Sequence, residues 1–219
     1  LGVLSLTANT TADGNTSVGY GTMSANTTGA NNTALGREAL AANTTGTNSV
    51  AVGYQALDAQ TTGGSNVAVG NGSMTSQTTG EFNVAVGRNT LATSTTGAGN
   101  TAVGDAALYA TVGNNNTGVG YAALYANTTG TQNVAVGREA LESNTTASDN
   151  TAVGFKSLTA NTTGHSNVSL GKSSMEANTT GDSNTAVGFY AFAANTTGTN
   201  NTAVGYAALD ANTTADNNT

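Results

Sequence analysis

Large apolar residues recur along this chain in two columns on a fixed period. A glycine sets the register at Gly2, Gly19, Gly36, Gly53, Gly70, Gly87, Gly104, Gly120, Gly137, Gly154, Gly171, Gly188 and Gly205, a spacing of 17 broken once by a 16 between Gly104 and Gly120. Val or Leu always stands just before it, from Leu1 and Val18 to Val204, and a large apolar residue always stands four positions after it, from Leu6 and Met23 to Phe192 and Leu209. A period this strict means that every coil repeats the same contacts with its neighbours, as in a solenoid.

Asn66-Val67-Ala68-Val69 reads as a short strand, and Tyr54-Gln55-Ala56-Leu57 as a second one after a bend at Gly53. Val52 and Leu57 lie five positions apart and would face opposite ways in one straight strand, so folding at the glycine is what brings both inward. The interior is therefore predicted to hold Val52, Val69, Val86, Val103, Val136 and Val153 together with Leu57, Leu91, Leu124 and Leu141. A helix over Tyr121–Ala126 competes on alanine content, but the stretch is too short to be stable alone. The expected fold is all-β: a parallel β-solenoid or β-roll of thirteen coils of about 17 residues, one repetitive domain over 1–219.

The second half of each coil reads Asn-Thr-Thr-Gly, a turn signal. Gly29, Gly46, Gly130 and Gly164 close it, with positive φ as one option, although Ala12, Ala147 and Ala215 fill the same place in other copies. The short coil loses its residue here, at Thr111-Val112-Gly113, where a turn absorbs the deletion.

Two or three large apolar side chains per coil make a slim core. Each fully buried Val or Leu contributes about 1.5–3 kcal/mol, against a backbone ordering cost of about 1–2 kcal/mol per residue. Self-association is the expected remedy. Ala34, Ala51, Ala68 and Ala85 form either a face that another backbone approaches or the packing of a narrow single-chain interior. Neither end carries an atypical capping coil, which suggests a fragment or repeating unit of a longer fibre, or copies stacked end to end.

Composition narrows the partners. Five Lys and Arg against twelve Asp and Glu give a net charge of −7, with no basic patch for nucleic acid, and no apolar run is long enough to insert in a membrane. There is no cysteine. His165, the one histidine, sits at a variable turn position, and Asp13, Asp149, Asp182 and Asp216 are too scattered for a calcium-binding column. Gly63-Gly64 lacks the spacing and lysine of a phosphate loop. The expectation is no enzyme, no metal and no cofactor.

Charged residues follow the repeat too. Arg88 is expected one coil from Asp105, and Glu139 one coil from Lys156. Tyr20, Tyr54, Tyr121, Phe155, Phe189 and Tyr206 share the column after the marker glycine, interrupted by Arg37, Asn71, Arg88, Arg138 and Lys172. That strip would face either a ligand or a neighbouring subunit.

The most function-like feature is the candidate surface ladder of Asn26, Asn43, Asn127, Asn144 and Asn161 with Thr27, Thr44, Thr128, Thr145 and Thr162. The asparagines match the Asn-x-Thr glycan acceptor pattern, although turn chemistry produces the same motif without a sugar. The threonines are expected to form a solvent-facing column suited to glycan, ice or O-linked sugar.

Asn133-Val134-Ala135-Val136-Gly137 and Asn201-Thr202-Ala203-Val204-Gly205 resemble the head-domain repeats of trimeric autotransporter adhesins and related phage tail-fibre repeats. The resemblance implies left-handed parallel β-rolls, trimers, and heads that bind host surfaces or matrix. It places Val136 and Val204 inside and Gly137 and Gly205 at the bend between two strands. The coil here is longer than the usual adhesin repeat, with the excess in the Asn-Thr-Thr-Gly part. The expected function is a structural subunit of an extracellular, cell-surface or virion-surface fibre used in adhesion, with an ice- or carbohydrate-binding module as the alternative. Its expected partners are copies of itself, lateral or end to end, and a host-surface or glycan ligand.

Overall fold

A computed structural model describes residues 2–219, so the Leu1 position of the valine column lies outside the described residues. The protein is an all-β parallel solenoid whose coils repeat about every 17 residues, and no helix occurs among the described residues. It divides into two compact units, one ending at Val112 and the other beginning at Gly113, within the turn that carries the single deletion. In the first unit β1 (Thr16–Val18), β2 (Thr33–Leu35), β3 (Val50–Val52), β4 (Val67–Val69), β5 (Val84–Val86) and β6 (Thr101–Val103) pair in chain order. In the second unit β7 (Thr117–Val119), β8 (Val134–Val136), β9 (Thr151–Val153), β10 (Val168–Leu170), β11 (Thr185–Val187) and β12 (Thr202–Val204) do the same. Register is fixed by the repeat: Ala51 lies opposite Ala68, and Val52 opposite Val69.

The strands are turned inside out relative to the expectation. Their middle residues point inward, and Ala34, Ala51, Ala68 and Ala85 have no exposed surface, so they pack the chain's own interior rather than an assembly face. The valines on either side point out. Val52, Val69 and Val103 are half-buried, while Val86, Val136 and Val153 are 37%, 36% and 38% exposed. Val204, expected inside, is 68% exposed. With a side-chain period of two, a three-residue strand sends either its middle or its two ends inward. The opposing wall already carries a large residue per coil, leaving space for a methyl or hydroxymethyl group: Ala at most coils, Ser17 and Ser169 at two, and Gly118 at one.

That opposing wall is the second apolar column. Leu57, Leu91, Leu124 and Leu141 are completely buried, as are Met23, Met74, Met175 and Phe192. The segment that carries them is a run of turns and not a second strand. Leu57 has φ 53° and Gln55 φ 53°, and the same left-handed conformation recurs at Glu139 and Leu141. A third left-handed residue per coil precedes the strand, as at Asn48, Ser65 and Asp149. Such conformations cost a bulky residue about 1 kcal/mol or more each, and β-branched residues most of all. No Val or Thr takes one among the described residues, which explains why the inner column is Leu, Met or Phe and never Val. Hydrogen bonds along the stack offset the strain: Leu57 N–H donates forward to Ser73 O at 3.0 Å, and Gln55 N–H back to Arg37 O at 3.0 Å.

The rest of the interior is polar. At most coils one asparagine precedes the strand and another opens the Asn-Thr-Thr turn, and most of these asparagines are buried. Their side-chain amides converge on one turn carbonyl. Gly46 O accepts from Asn32 Nδ2 at 2.8 Å and from Asn43 Nδ2 at 3.0 Å, and Gly164 O accepts from Asn150 and Asn161 Nδ2, both at 2.9 Å. The side-chain oxygens accept from the neighbouring coil, as in Asn144 Nδ2 to Asn127 Oδ1 at 2.8 Å and Asn150 N–H to Asn133 Oδ1 at 3.0 Å. Each of these buried asparagine amides thus meets the requirement that polar groups removed from water be bonded.

Candidate functional site

Three outward faces and one turn edge are available for chemistry. The buried asparagines are not. Asn26, Asn43, Asn127, Asn144 and Asn161 have no exposed surface and are bonded within the stack, so they are no glycan acceptors in the folded chain. Their hydrogen bonds are those that turn chemistry accounts for. Gly29, Gly46, Gly130 and Gly164 are buried beside them and do not take positive φ. They lie where a Cβ would run into the next coil's carbonyl and the asparagine amide, as Gly164 would with Gly181 O and Asn161 Oδ1. Positive φ falls on the marker glycines, including Gly137 at 137°.

The threonine column also shifts. Thr27, Thr44, Thr145 and Thr162 are half-buried, and their hydroxyls donate along the stack, Thr27 Oγ1 to Thr44 O and Thr44 Oγ1 to Thr61 O both at 3.0 Å. Thr128 is exposed but bonded in the same way, to Thr145 O at 2.9 Å. The threonines that are exposed throughout are the next in sequence: Thr28, Thr45, Thr62 and Thr79 in the first unit, and Thr129, Thr146, Thr163 and Thr180 in the second. The alternation that sends one threonine out and holds the other against the chain was readable from the sequence, but which of the two is outward was not.

The sheet's outer face carries two columns at alternate strand positions. Thr33 and Leu35, Val50 and Val52, Val67 and Val69, and Val84 and Val86 line it in the first unit, and the same pattern recurs in the second. On the side that follows the strand lies the aromatic column. Its rings and cations alternate: Arg37 sits 5.8 Å from both the Tyr20 and Tyr54 ring centroids. Arg138 lies 5.4 Å from Tyr121 and 5.9 Å from Phe155, and Lys172 lies 5.9 Å from Phe155 and 5.4 Å from Phe189. The expected ion pairs form, Arg88 with Asp105 at 2.7 Å and Lys156 with Glu139 at 3.7 Å. All five cations of the chain, Arg37, Arg88, Arg138, Lys156 and Lys172, belong to this edge.

The opposite edge, on the turn that precedes the strand, is acidic, with Asp13, Glu81, Asp149, Asp182 and Asp216 exposed. The same turn stacks Ser148, His165 and Asp182 on successive coils, a set of residue types that invites comparison with a nucleophile, base and orienter. Their hydrogen bonds run to main chain instead. His165 Nδ1 accepts from Ser148 N–H at 3.0 Å, and Asp182 Oδ1 accepts from His165 N–H at 2.6 Å. The three side chains brace consecutive turns, and no serine-to-imidazole bond is formed. No group of three potential metal ligands clusters among the described residues. Comparison with protein-family models, with characterised proteins and with solved structures finds no match.

Proposed function

We propose that this chain is a structural fibre module whose copies associate laterally through the outward face of the sheet. The observation that carries the reading is the valine and threonine face, in which branched side chains point outward at every coil, exposed or half-buried, while alanine fills most of the interior positions. A regular apolar face of this kind is the mark of an interaction surface. The charged edges support a parallel arrangement. Rotation about an axis along the stack sets the edge that carries the five cations, partly neutralised by Glu38, Asp105 and Glu139, beside the acidic edge of the next copy, whereas antiparallel pairing sets like edges together. A trimer is one closed form of that arrangement.

The biological use assigned to the fibre is adhesion to a host surface or matrix, at an extracellular, cell-surface or virion-surface location. This part of the reading rests on the resemblance of Asn133–Gly137 and Asn201–Gly205 to adhesin-head repeats. The ice- or carbohydrate-binding alternative draws on the solvent-facing hydroxyls of Thr28, Thr45, Thr62 and Thr79, and thermal hysteresis of the purified chain tests it.

Native mass measurement over a wide concentration range is the direct test of association. The expected result is an assembly that reverts to monomer when Val67, Val134 and Val168 are replaced together by Lys, with the solenoid circular dichroism retained. A wild-type chain that stays monomeric throughout overturns the reading.

A further inference from the structure

Most exposed rings of the aromatic column are already occupied, because the cations of adjacent coils cover their faces. One place departs from this pattern. Tyr190 supplies the only aromatic side chain of the second column after the marker glycine, so a ring there meets rings of the first column. Phe189 and Tyr206 stack at 5.7 Å with an interplanar angle of 18°, and Tyr190 stands at 86° to Phe189 with centroids 4.4 Å apart. Lys172 lies against Phe189, but no cation lies within reach of Tyr190 among the described residues.

These two walls border a groove of about 390 Å³ lined by Tyr190, Ala193, Ala194, Tyr206, Ala207 and Asp210. That volume is toward the small end of the range for small-ligand sites, about 300–1,000 Å³. The floor is open because Ala193 stands where the preceding coils carry larger groups, Glu142, Thr159 and Glu176, while Ala194 continues a column of small residues. Asp210 adds an exposed carboxylate.

We propose that this groove is a binding site for an alkylammonium cation, of which a quaternary trimethylammonium group is the best match. Ring faces attract a cation through their quadrupoles, a ring corner contacts it on two sides, and the carboxylate supplies the counter-charge. The methyl groups of a quaternary ammonium lie against the alanine floor without leaving a donor unpaired, which a primary ammonium would do. No lining residue is basic, so nothing in the groove repels the ligand or occupies its place. The site needs no second copy of the chain, and its test therefore stands apart from that of lateral association.

Titration of the full chain with choline, followed by ligand-observed nuclear magnetic resonance and tyrosine fluorescence, is the test. The expected result is saturable binding that weakens on the order of tenfold in Tyr190→Leu and in Asp210→Asn, as loss of one ring or of the charge requires. Tyr54→Leu, which removes a ring already facing Arg37, should leave binding unchanged. The uncharged isostere neohexyl alcohol should not compete. Phosphatidylcholine vesicles that bind the chain, with phosphatidylglycerol vesicles that do not, identify a lipid headgroup as the source; binding of free choline alone identifies a soluble ligand. The proposal is overturned if choline does not saturate, if neohexyl alcohol binds equally well, or if Tyr190→Leu and Asp210→Asn bind like the parent chain.

Discussion

The two compact units share one coil but differ in the amide ladder that fills the turn side of the core. In the second unit Asn127, Asn144, Asn161, Asn178 and Asn195 stack without a break, each donating to the turn carbonyl three residues on, as Asn178 does to Gly181 O at 3.1 Å. In the first unit the series begins with Asn9, Asn26 and Asn43 and then changes to Gln60, Gln77 and Ser94. The changes compensate one another. Ser94 is too short to reach Gly97 O, and Gln77, one methylene longer than Asn and one coil away, donates to that carbonyl at 3.0 Å. Gln60 likewise lies beside the short Ser49, donating to its Oγ at 3.3 Å and accepting from Asn66 Nδ2 at 2.9 Å. What the position requires is a donor for the turn carbonyl, and a neighbouring coil can provide it. The repair is incomplete, since Gln77 Oε1 and Ser94 Oγ remain buried without partners.

The largest expected effect falls on both units alike and serves as the reference for the others. An alanine at Gly154 would bring its Cβ to 2.5 Å from Gly171 O, at a φ of 135° that L-residues rarely adopt. Gly70→Ala meets the Gly87 carbonyl in the same way in the first unit. Each substitution should destabilise its unit by roughly 3–5 kcal/mol, combining overpacking with backbone strain. Urea unfolding measures it, and a cost under about 1 kcal/mol in either unit would mean that the coils are not held at the close approach described.

The amide ladders should respond differently. Asn161→Ala removes donors to Asn144 Oδ1 and Gly164 O and an acceptor for Asn178, and should cost roughly 2–4 kcal/mol. Ser94→Ala removes a buried hydroxyl that has no partner, and should be neutral within about 0.5 kcal/mol or slightly stabilising. The compensation itself is tested by a double-mutant cycle. Ser94→Asn alone should clash with the Gln77 amide that occupies its place, and Gln77→Asn alone should leave Gly97 O short of a donor. Together they rebuild the arrangement of the second unit, with a coupling of about 1–2 kcal/mol in its favour. Additive single effects would remove the argument for compensation.

Much of this architecture was legible in the period, and the failures have specific physical origins. The strand around Val67–Val69 and the inner column of Leu57, Leu91, Leu124 and Leu141 follow from spacing alone. The orientation of Val69 against Ala68 does not, because a hydrophobicity ranking favours the valine inside while the width of the interior decides for the alanine. The second strand failed because Gln55 and Leu57 take left-handed conformations that propensity disfavours and that only hydrogen bonds between coils sustain. Asn144 illustrates the third failure: Asn-Thr-Thr is the same string whether the amide faces solvent or the core, and what buries it is the convergence of Asn133 and Asn144 on Ala147 O.

The smallest expected effect concerns a carboxyl group that belongs to the first unit's defective stretch. Asp58 Oδ1 is buried and has no hydrogen-bond partner. Desolvation raises the Asp58 pKa above its ordinary value of 3.8, and the nearby charge of Glu38 raises it further, while the backbone amides of Ala59 and of Asp58 itself offset part of the rise. A raised carboxyl pKa means that the folded chain holds this proton more tightly than the unfolded chain does. The resulting contribution to stability is fully present below the unfolded value of 3.8 and is lost as pH rises through the folded pKa. At neutral pH the ionised group therefore weakens the fold. Asp58→Asn, which keeps the shape and removes the charge, should raise the unfolding midpoint slightly at pH 7, and the gain should shrink as the pH is lowered toward and below 3.8. Thermal unfolding of parent and variant across that range measures both the sign and its pH dependence. A variant less stable than the parent at neutral pH, or a gain that grows on acidification, would mean that the Asp58 carboxylate has a stabilising partner in the fold.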